Sequence, residues 1–172
     1  MKVEKIGLLG FGTVGSGVYH ILTKNQASIE KKTGVSLQIE KALVKEPELF
    51  ADKISGITFT SDVDYILNDE EISIIVEVLG GVDFAYNCVK KALESGKHVV
   101  TANKDLLAKH GVELSQIARE NNVYLYYEAS VGGGIPVLRP LVEHVSNNEV
   151  EAIYGIVNGT TNFILTSMSQ QG

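Results

Sequence analysis

Three glycines at fixed offsets are the first residues of this sequence whose spacing points to chemistry. Gly10-Phe11-Gly12-Thr13-Val14-Gly15 follows the apolar run 6–9 and opens a stretch of helical periodicity. In such a turn Gly10 permits the tight reversal, Gly12 lets a pyrophosphate approach the backbone, and Gly15 lets the helix pack close to the strand. The free N–H groups and positive dipole end of the following helix would then hold the phosphates of a dinucleotide. Strand, fingerprint and helix stand in the order that gives the motif its meaning.

The end of the second strand reports on the kind of dinucleotide. A carboxylate there takes the ribose hydroxyls of NAD, and a cation favours the 2′-phosphate of NADP. The sequence offers both, in Val44-Lys45-Glu46, and Lys45 tilts the expectation toward NADP. The four histidines, His20, His98, His110 and His144, have no metal-ligand spacing. Cys88 falls on the apolar stripe of a helix beside Val89 and reads as a small core residue.

Positioning these residues requires alternating short strands and helices, the pattern of βαβ units and a mainly parallel sheet. Strands are expected at 3–9, 35–44, 57–59, 72–79, 98–101 and 123–127. Apolar residues Val14, Val18, Ile21, Leu22 and Ile29 predict one helix running from 14 to about 31. Further helices are expected at 63–67, capped by Ser61 or Asp62, at 82–94 with Gly96 as its left-handed stop, and at 114–121. Beyond Gly132, Gly133 and Gly134 the style changes. Residues 135–145 carry a stripe at Leu138, Leu141, Val142 and Val145, where Pro140 either marks the start of regular helix or distorts its first turn. Residues 150–157 alternate as a strand does, and 160–168 read as a final helix. The fold class expected is a Rossmann-like, doubly wound α/β domain over 1–130, followed at 131–172 by a hinge and the first elements of a second α/β domain. The 172 residues read as the front part of a longer protein.

Composition narrows the function classes. The chain is 44% hydrophobic and 21% charged with three prolines, which excludes disordered and fibrous proteins. Its single cysteine excludes a disulfide scaffold and suits a reducing cytoplasm. A net charge of −6 has the wrong sign for a sequence-independent nucleic-acid binder. No apolar run is long enough to span a membrane.

Longer motifs carry a resemblance. GFGTVGSGV at 10–18, VEVLGG at 76–81, GKHVVTANKDLLAKHG at 96–111, YEASVGGGIPVLRPL at 127–141 and GIVNGTTNFIL at 155–165 resemble the homoserine dehydrogenase family, in the family's order and over almost the whole chain. That resemblance implies an NAD(P)-dependent oxidoreductase interconverting L-homoserine and L-aspartate 4-semialdehyde, with a Rossmann-like cofactor domain, an α/β substrate domain and homodimeric assembly. By position it implies dinucleotide contacts at Phe11, Gly12, Thr13 and Val14, at Leu79 and Gly80, and near Thr101, Asn103 and Lys104. Lys104 matches the family's active-site lysine. A buried lysine there would hydrogen-bond the substrate hydroxyl and help move its proton; as a mere surface charge it would sit unfavourably at a helix N-terminus, by roughly 0.3–1 kcal/mol. The resemblance also implies a monovalent cation, usually sodium, on the carbonyl oxygens of Glu128, Val131, Gly133 and Ile135.

Two departures stand out. The family's later DxxGxDAxxK-type segment, with substrate-binding carboxylates and a second lysine, is not among these residues. Lys45 also stands where an arginine is usual, so weaker phosphate recognition and mixed cofactor use are expected. The alternative is a nucleotide-sensing Rossmann module without chemistry. Asn158-Gly159-Thr160-Thr161 reads equally as part of a substrate cleft and as a helix N-cap.

Overall fold

The computed structural model describes residues 1–145, 148–156 and 158–171, which divide into two units, Met1–Val131 and Gly132–Gly172. The first is built on a sheet of six strands: β1 (Lys2–Leu9), β2 (Val35–Leu43), β3 (Thr58–Thr60), β4 (Ile72–Glu77), β5 (His98–Thr101) and β6 (Leu125–Tyr126). Every pairing is parallel and the order is β3-β2-β1-β4-β5-β6. This is the doubly wound arrangement, with its switch point between β1 and β4.

The strands form where buried-on-both-faces composition demands them. Leu8 and Leu9 of β1 and Ile72 and Ile75 of β4 are fully buried, as central parallel strands require. Two apolar clusters cover the two faces. One joins Leu9, Ile66, Ile75 and Val99 to Ala85, Cys88, Val89 and Leu93 of helix α5 (Asp83–Glu94) and Leu106 and Leu114 of α6 (Lys104–Glu120). The other joins Ile6, Leu8, Phe11 and Ile39 to Val18, Tyr19 and Leu22 of α1 (Thr13–Lys24). Phe11 anchors it, with ring centroids 5.9, 5.5 and 5.1 Å from Tyr19, Phe50 and Phe59.

Several elements differ from expectation. The predicted helix 14–31 is two helices, α1 and α2 (Gln26–Thr33), separated at Asn25. Val14 and Ile21 are exposed, so only Val18 and Leu22 of the predicted stripe pack on the sheet. A short helix α3 (Glu48–Ala51) fills the stretch before β3. In α4 (Asp64–Leu67) the N-cap position is Val63, while the Asp62 carboxylate accepts the Asp64 N–H at 2.9 Å. Helix α6 begins ten residues before the predicted 114, because Asn103 accepts the Leu106 N–H at 3.1 Å and caps it there; Gly111 is simply carried within it.

In the second unit, Glu128–Ser130 having closed the first as a 3-10 turn, α7 (Leu138–Val145) contains Pro140 in its first turn and α8 (Gly159–Gln171) follows. The Asn158 side chain accepts the Thr161 N–H at 2.8 Å, the helix-cap reading of that segment. The strand predicted at 150–157 is not found among the described residues: 150–156 are irregular, and Val157 lies outside the described residues. The same holds for the side chains of His144 and Val145. Among the described residues no helix is long and apolar enough to cross a membrane.

Candidate functional site

Parallel strands deliver their carboxyl ends to one edge of the sheet, and every predicted site residue of the first unit lies there or just beyond. The glycine turn leaves β1 at Gly10, whose φ of +105° is open to glycine alone. A Cβ at Gly10 would stand 2.9 Å from the Val78 carbonyl oxygen. At Gly15 it would stand 2.1 Å from the Gly10 carbonyl oxygen, so the start of α1 can approach the turn only without a side chain. Gly12 is different. A Cβ there would meet nothing within 4 Å, so the fold itself does not demand glycine and the space in front of it is open.

The first turn of α1 is the matching half of the cradle. Its N-cap, Gly12, supplies no side-chain hydrogen bond and the turn holds no acidic residue. The Ser16 N–H donates to the Gly12 carbonyl oxygen at 2.9 Å. Leading N–H groups with the positive end of the helix behind them fit a diphosphate. Phe11 turns its ring into the core.

The neighbouring loops meet this turn. The Val78 N–H donates to the Leu9 oxygen at 3.0 Å, which carries the β1–β4 ladder one step past the strands. Leu79-Gly80-Gly81 then turns on two left-handed glycines, with φ of +76° and +71°. Lys45 lies two residues past β2 and is exposed.

At the end of β5 Thr101 is fully buried and Asn103 nearly so. The expectation of a buried Lys104 needs correction: Lys104 is exposed as the first residue of α6. Glu128 begins the 3-10 turn, and its carbonyl oxygen accepts the Val131 N–H at 3.3 Å. Gly132 and Gly133 open the second unit in left-handed conformations, φ +73° and +62°, with Ile135 following.

One residue of the edge was not singled out from sequence. Glu77, the last residue of β4, is fully buried. Its carboxylate accepts the Leu79 N–H at 2.9 Å and the Thr101 hydroxyl at 2.5 Å. The signal was available as a lone carboxylate in the nearly all-apolar run 72–79. Cys88 is as expected: burial, with the Glu77 charge second, pushes its thiol up to about 11, which keeps it from acting as a thiolate nucleophile. His98 accepts the Tyr124 N–H at 3.0 Å and His110 packs on Tyr86 with centroids 4.2 Å apart, structural duties for both.

Comparison with known proteins agrees with this geometry. A family model described as the NAD-binding domain of homoserine dehydrogenase matches residues 10–128, and one described as homoserine dehydrogenase matches 136–172. The homoserine dehydrogenase of Bacillus subtilis is 45% identical over 172 residues, 99% of this chain and 40% of that one. The homoserine dehydrogenase of Pseudomonas aeruginosa is 41% identical, over 100% of this chain and 39% of that one. The crystal structure of a homoserine dehydrogenase from Thiobacillus denitrificans superposes with a TM-score of 0.89 at 39% identity, covering 99% of this chain and 40% of that one. A hyperthermophilic archaeal homoserine dehydrogenase, solved in complex with NADPH, superposes at 0.79 with 27% identity, over 99% of this chain and 57% of that one. The chain spans about 40% of the length of the curated relatives it matches. With the glycine cradle, the strand order and two adjoining family matches in agreement, the chain belongs to the homoserine dehydrogenase family.

Proposed function

We propose that the protein of which these residues form part is an NAD(P)-dependent homoserine dehydrogenase, and that Met1–Val131 is its dinucleotide-binding unit. The observation that carries this is the open, uncapped N-terminus of α1 in front of Gly12, framed by Gly10 and Gly15. A bound nicotinamide dinucleotide supplies the hydride acceptor. The N–H groups of Gly12, Thr13 and Val14 hold its phosphates, with the backbone of Phe11, Leu79, Gly80 and Thr101 and the Asn103 loop completing its bed. Lys45 takes the 2′-phosphate, which favours NADP, and the NADPH bound by the archaeal relative supports that choice. Lys104, the first residue of α6, hydrogen-bonds the substrate oxygen and relays its proton as the hydroxyl becomes a carbonyl.

The same reading assigns a sodium ion to the carbonyl oxygens of Glu128, Val131, Gly133 and Ile135, on the strength of the EASVGGGIP motif. It also makes the intact protein a cytoplasmic homodimer. Tyr154, 93% exposed, with Ile153, Ile156, Phe163 and Leu165, supports burial of the second unit's apolar side chains on assembly; sedimentation of the intact protein as a monomer would count against it.

The test is homoserine-dependent reduction of NADP and NAD by the intact protein, beside Gly12→Val. That variant should lose dinucleotide binding and turnover together. Undiminished dinucleotide affinity in Gly12→Val would remove the cradle assignment.

A further inference from the structure

We propose that Glu77 is a positioning residue for the reaction, setting the loop that carries Lys104 against the loop that carries Leu79 and Gly80. The inference rests on the dehydrogenase reading above. Its basis is a closed ring of hydrogen bonds. One Glu77 carboxylate oxygen accepts the Leu79 N–H at 2.9 Å, and the other accepts the Thr101 hydroxyl at 2.5 Å. The Thr101 hydroxyl oxygen in turn accepts the Asn103 N–H at 3.0 Å. The Asn103 amide crosses back, donating to the Gly81 carbonyl at 2.6 Å, while its oxygen caps α6 at Leu106. The ring thus ties the β4–α5 loop to the residue immediately before Lys104.

Fold stability alone gives little reason for an acid here. Glu77 is fully buried beside Ile75 and Val76, and none of the ion pairs among the described residues includes it. A carboxylate without a cation partner is a costly group to bury, and here only the two donors it accepts from offset that cost. What the acid does is accept from two loops at once. Leu79 and Val82 anchor the ends of this loop on the core, but between them Gly80 and Gly81 have no side chain to pack and both sit at positive φ. Glycine pairs in that conformation are free to move unless hydrogen bonds stop them. A lysine that must meet the substrate oxygen while the dinucleotide lies on the adjoining loop needs the two loops held in register.

The experiment uses the intact enzyme with Glu77→Gln, Thr101→Val and Thr101→Ser, measuring kcat, KM for homoserine, dinucleotide affinity and thermal midpoint. The amide of Glu77→Gln keeps the shape but accepts from only one loop. Turnover at saturating dinucleotide should fall by about 10²-fold, the scale of a misplaced catalytic group, with dinucleotide affinity within about threefold of wild type. Thr101→Ser, which restores the hydroxyl, should turn over at least about tenfold faster than Thr101→Val. A lowered midpoint with kcat unchanged in Glu77→Gln would make the ring structural only and overturn the proposal. So would a loss of dinucleotide affinity as large as the loss of kcat. Should Glu77→Gln fail to fold, the Thr101 pair decides, and equal kcat for valine and serine overturns it. Wild-type enzyme without homoserine-dependent turnover would overturn the dehydrogenase reading as well, an outcome separate from normal wild-type turnover with insensitive variants.

Discussion

A methyl group added at Gly12 and one added at Gly15 have opposite consequences. At Gly15 it would lie 2.1 Å from the Gly10 carbonyl oxygen, a methyl against main chain, with no flexible side chain there to yield. Gly15→Ala should therefore destabilise the first unit by about 1–3 kcal/mol or more, the range for overpacking a site that cannot relax. At Gly12 nothing lies within 4 Å, so Gly12→Ala should melt close to wild type while binding dinucleotide at least about tenfold more weakly, because the methyl occupies phosphate space. Calorimetry and fluorescence titration with the reduced dinucleotide separate the two. Lys45 gives a second contrast. It is exposed and joins none of the ion pairs among the described residues, so its replacement leaves no orphaned partner. Lys45→Ala should weaken NADP(H) by about 1.5–3 kcal/mol, the worth of a hydrogen bond between charged groups, and leave NAD(H) almost alone. Equal losses for both would show that Lys45 does not reach the 2′-phosphate.

At the scale of elements, the pair Lys41–Asp69 links β2 to the turn after α4. Lys41 is buried, with its ammonium 2.6 Å from the Asp69 carboxylate, 3.1 Å from the Tyr65 carbonyl and 3.6 Å from the Tyr65 ring centre. Lys41, followed by the Glu71 N–H, holds the Asp69 carboxyl below the usual carboxylate range. A depressed carboxyl stabilises the fold above its unfolded-state value and releases that stability as pH falls through its folded one. The midpoint should accordingly drop below about pH 4. Asp69→Asn should flatten part of that acid slope and cost about 1–3 kcal/mol near neutrality, discounted for the pair's partial exposure. Thermal scans across that pH range check both. The elements themselves were legible to different degrees, for physical reasons. β5 was read at its true bounds, and the mainly parallel sheet followed from apolar runs separated by helical periods, because buried parallel strands tolerate little else. The break at Asn25 was not legible, since its neighbours 24–28 are polar or small and carry no apolar period to interrupt. The start of α6 was hidden because the capping Asn103 was read as part of a ligand motif, and the cap shows only once its side chain is seen to accept the Leu106 N–H. The alternation at 150–156 has strand period but no neighbouring strand among the described residues, and period alone does not make a ladder. At the site, the glycine turn was fully readable, whereas Glu77 was not, because one carboxylate in an apolar run acquires meaning only when Thr101 and Leu79 are brought beside it.

For the molecule as a whole, the question is which part of the chain carries which share of stability and binding. Among the described residues, both apolar clusters draw every member from Met1–Val131, and so do all six strands. The glycine turn, Lys45, the Leu79-Gly80 loop and Thr101 to Lys104 belong to the same unit. A polypeptide ending at Val131 should therefore melt within about 5 °C of the 172-residue chain, since a larger shift would mean roughly 1 kcal/mol of missing packing. It should also bind dinucleotide within about twofold, because no phosphate-binding group has been removed. Homoserine oxidation should be negligible in this shortened chain. Lys104 would still be present, but a proton relay accelerates nothing unless the substrate is held against it in near-attack geometry. Scanning calorimetry, dinucleotide titration and a coupled assay of the reduced nicotinamide measure the three quantities on one preparation. Loss of dinucleotide affinity by about tenfold or more, with the midpoint preserved, would place part of the nucleotide site beyond Val131 and move the working boundary of the unit toward the C-terminus.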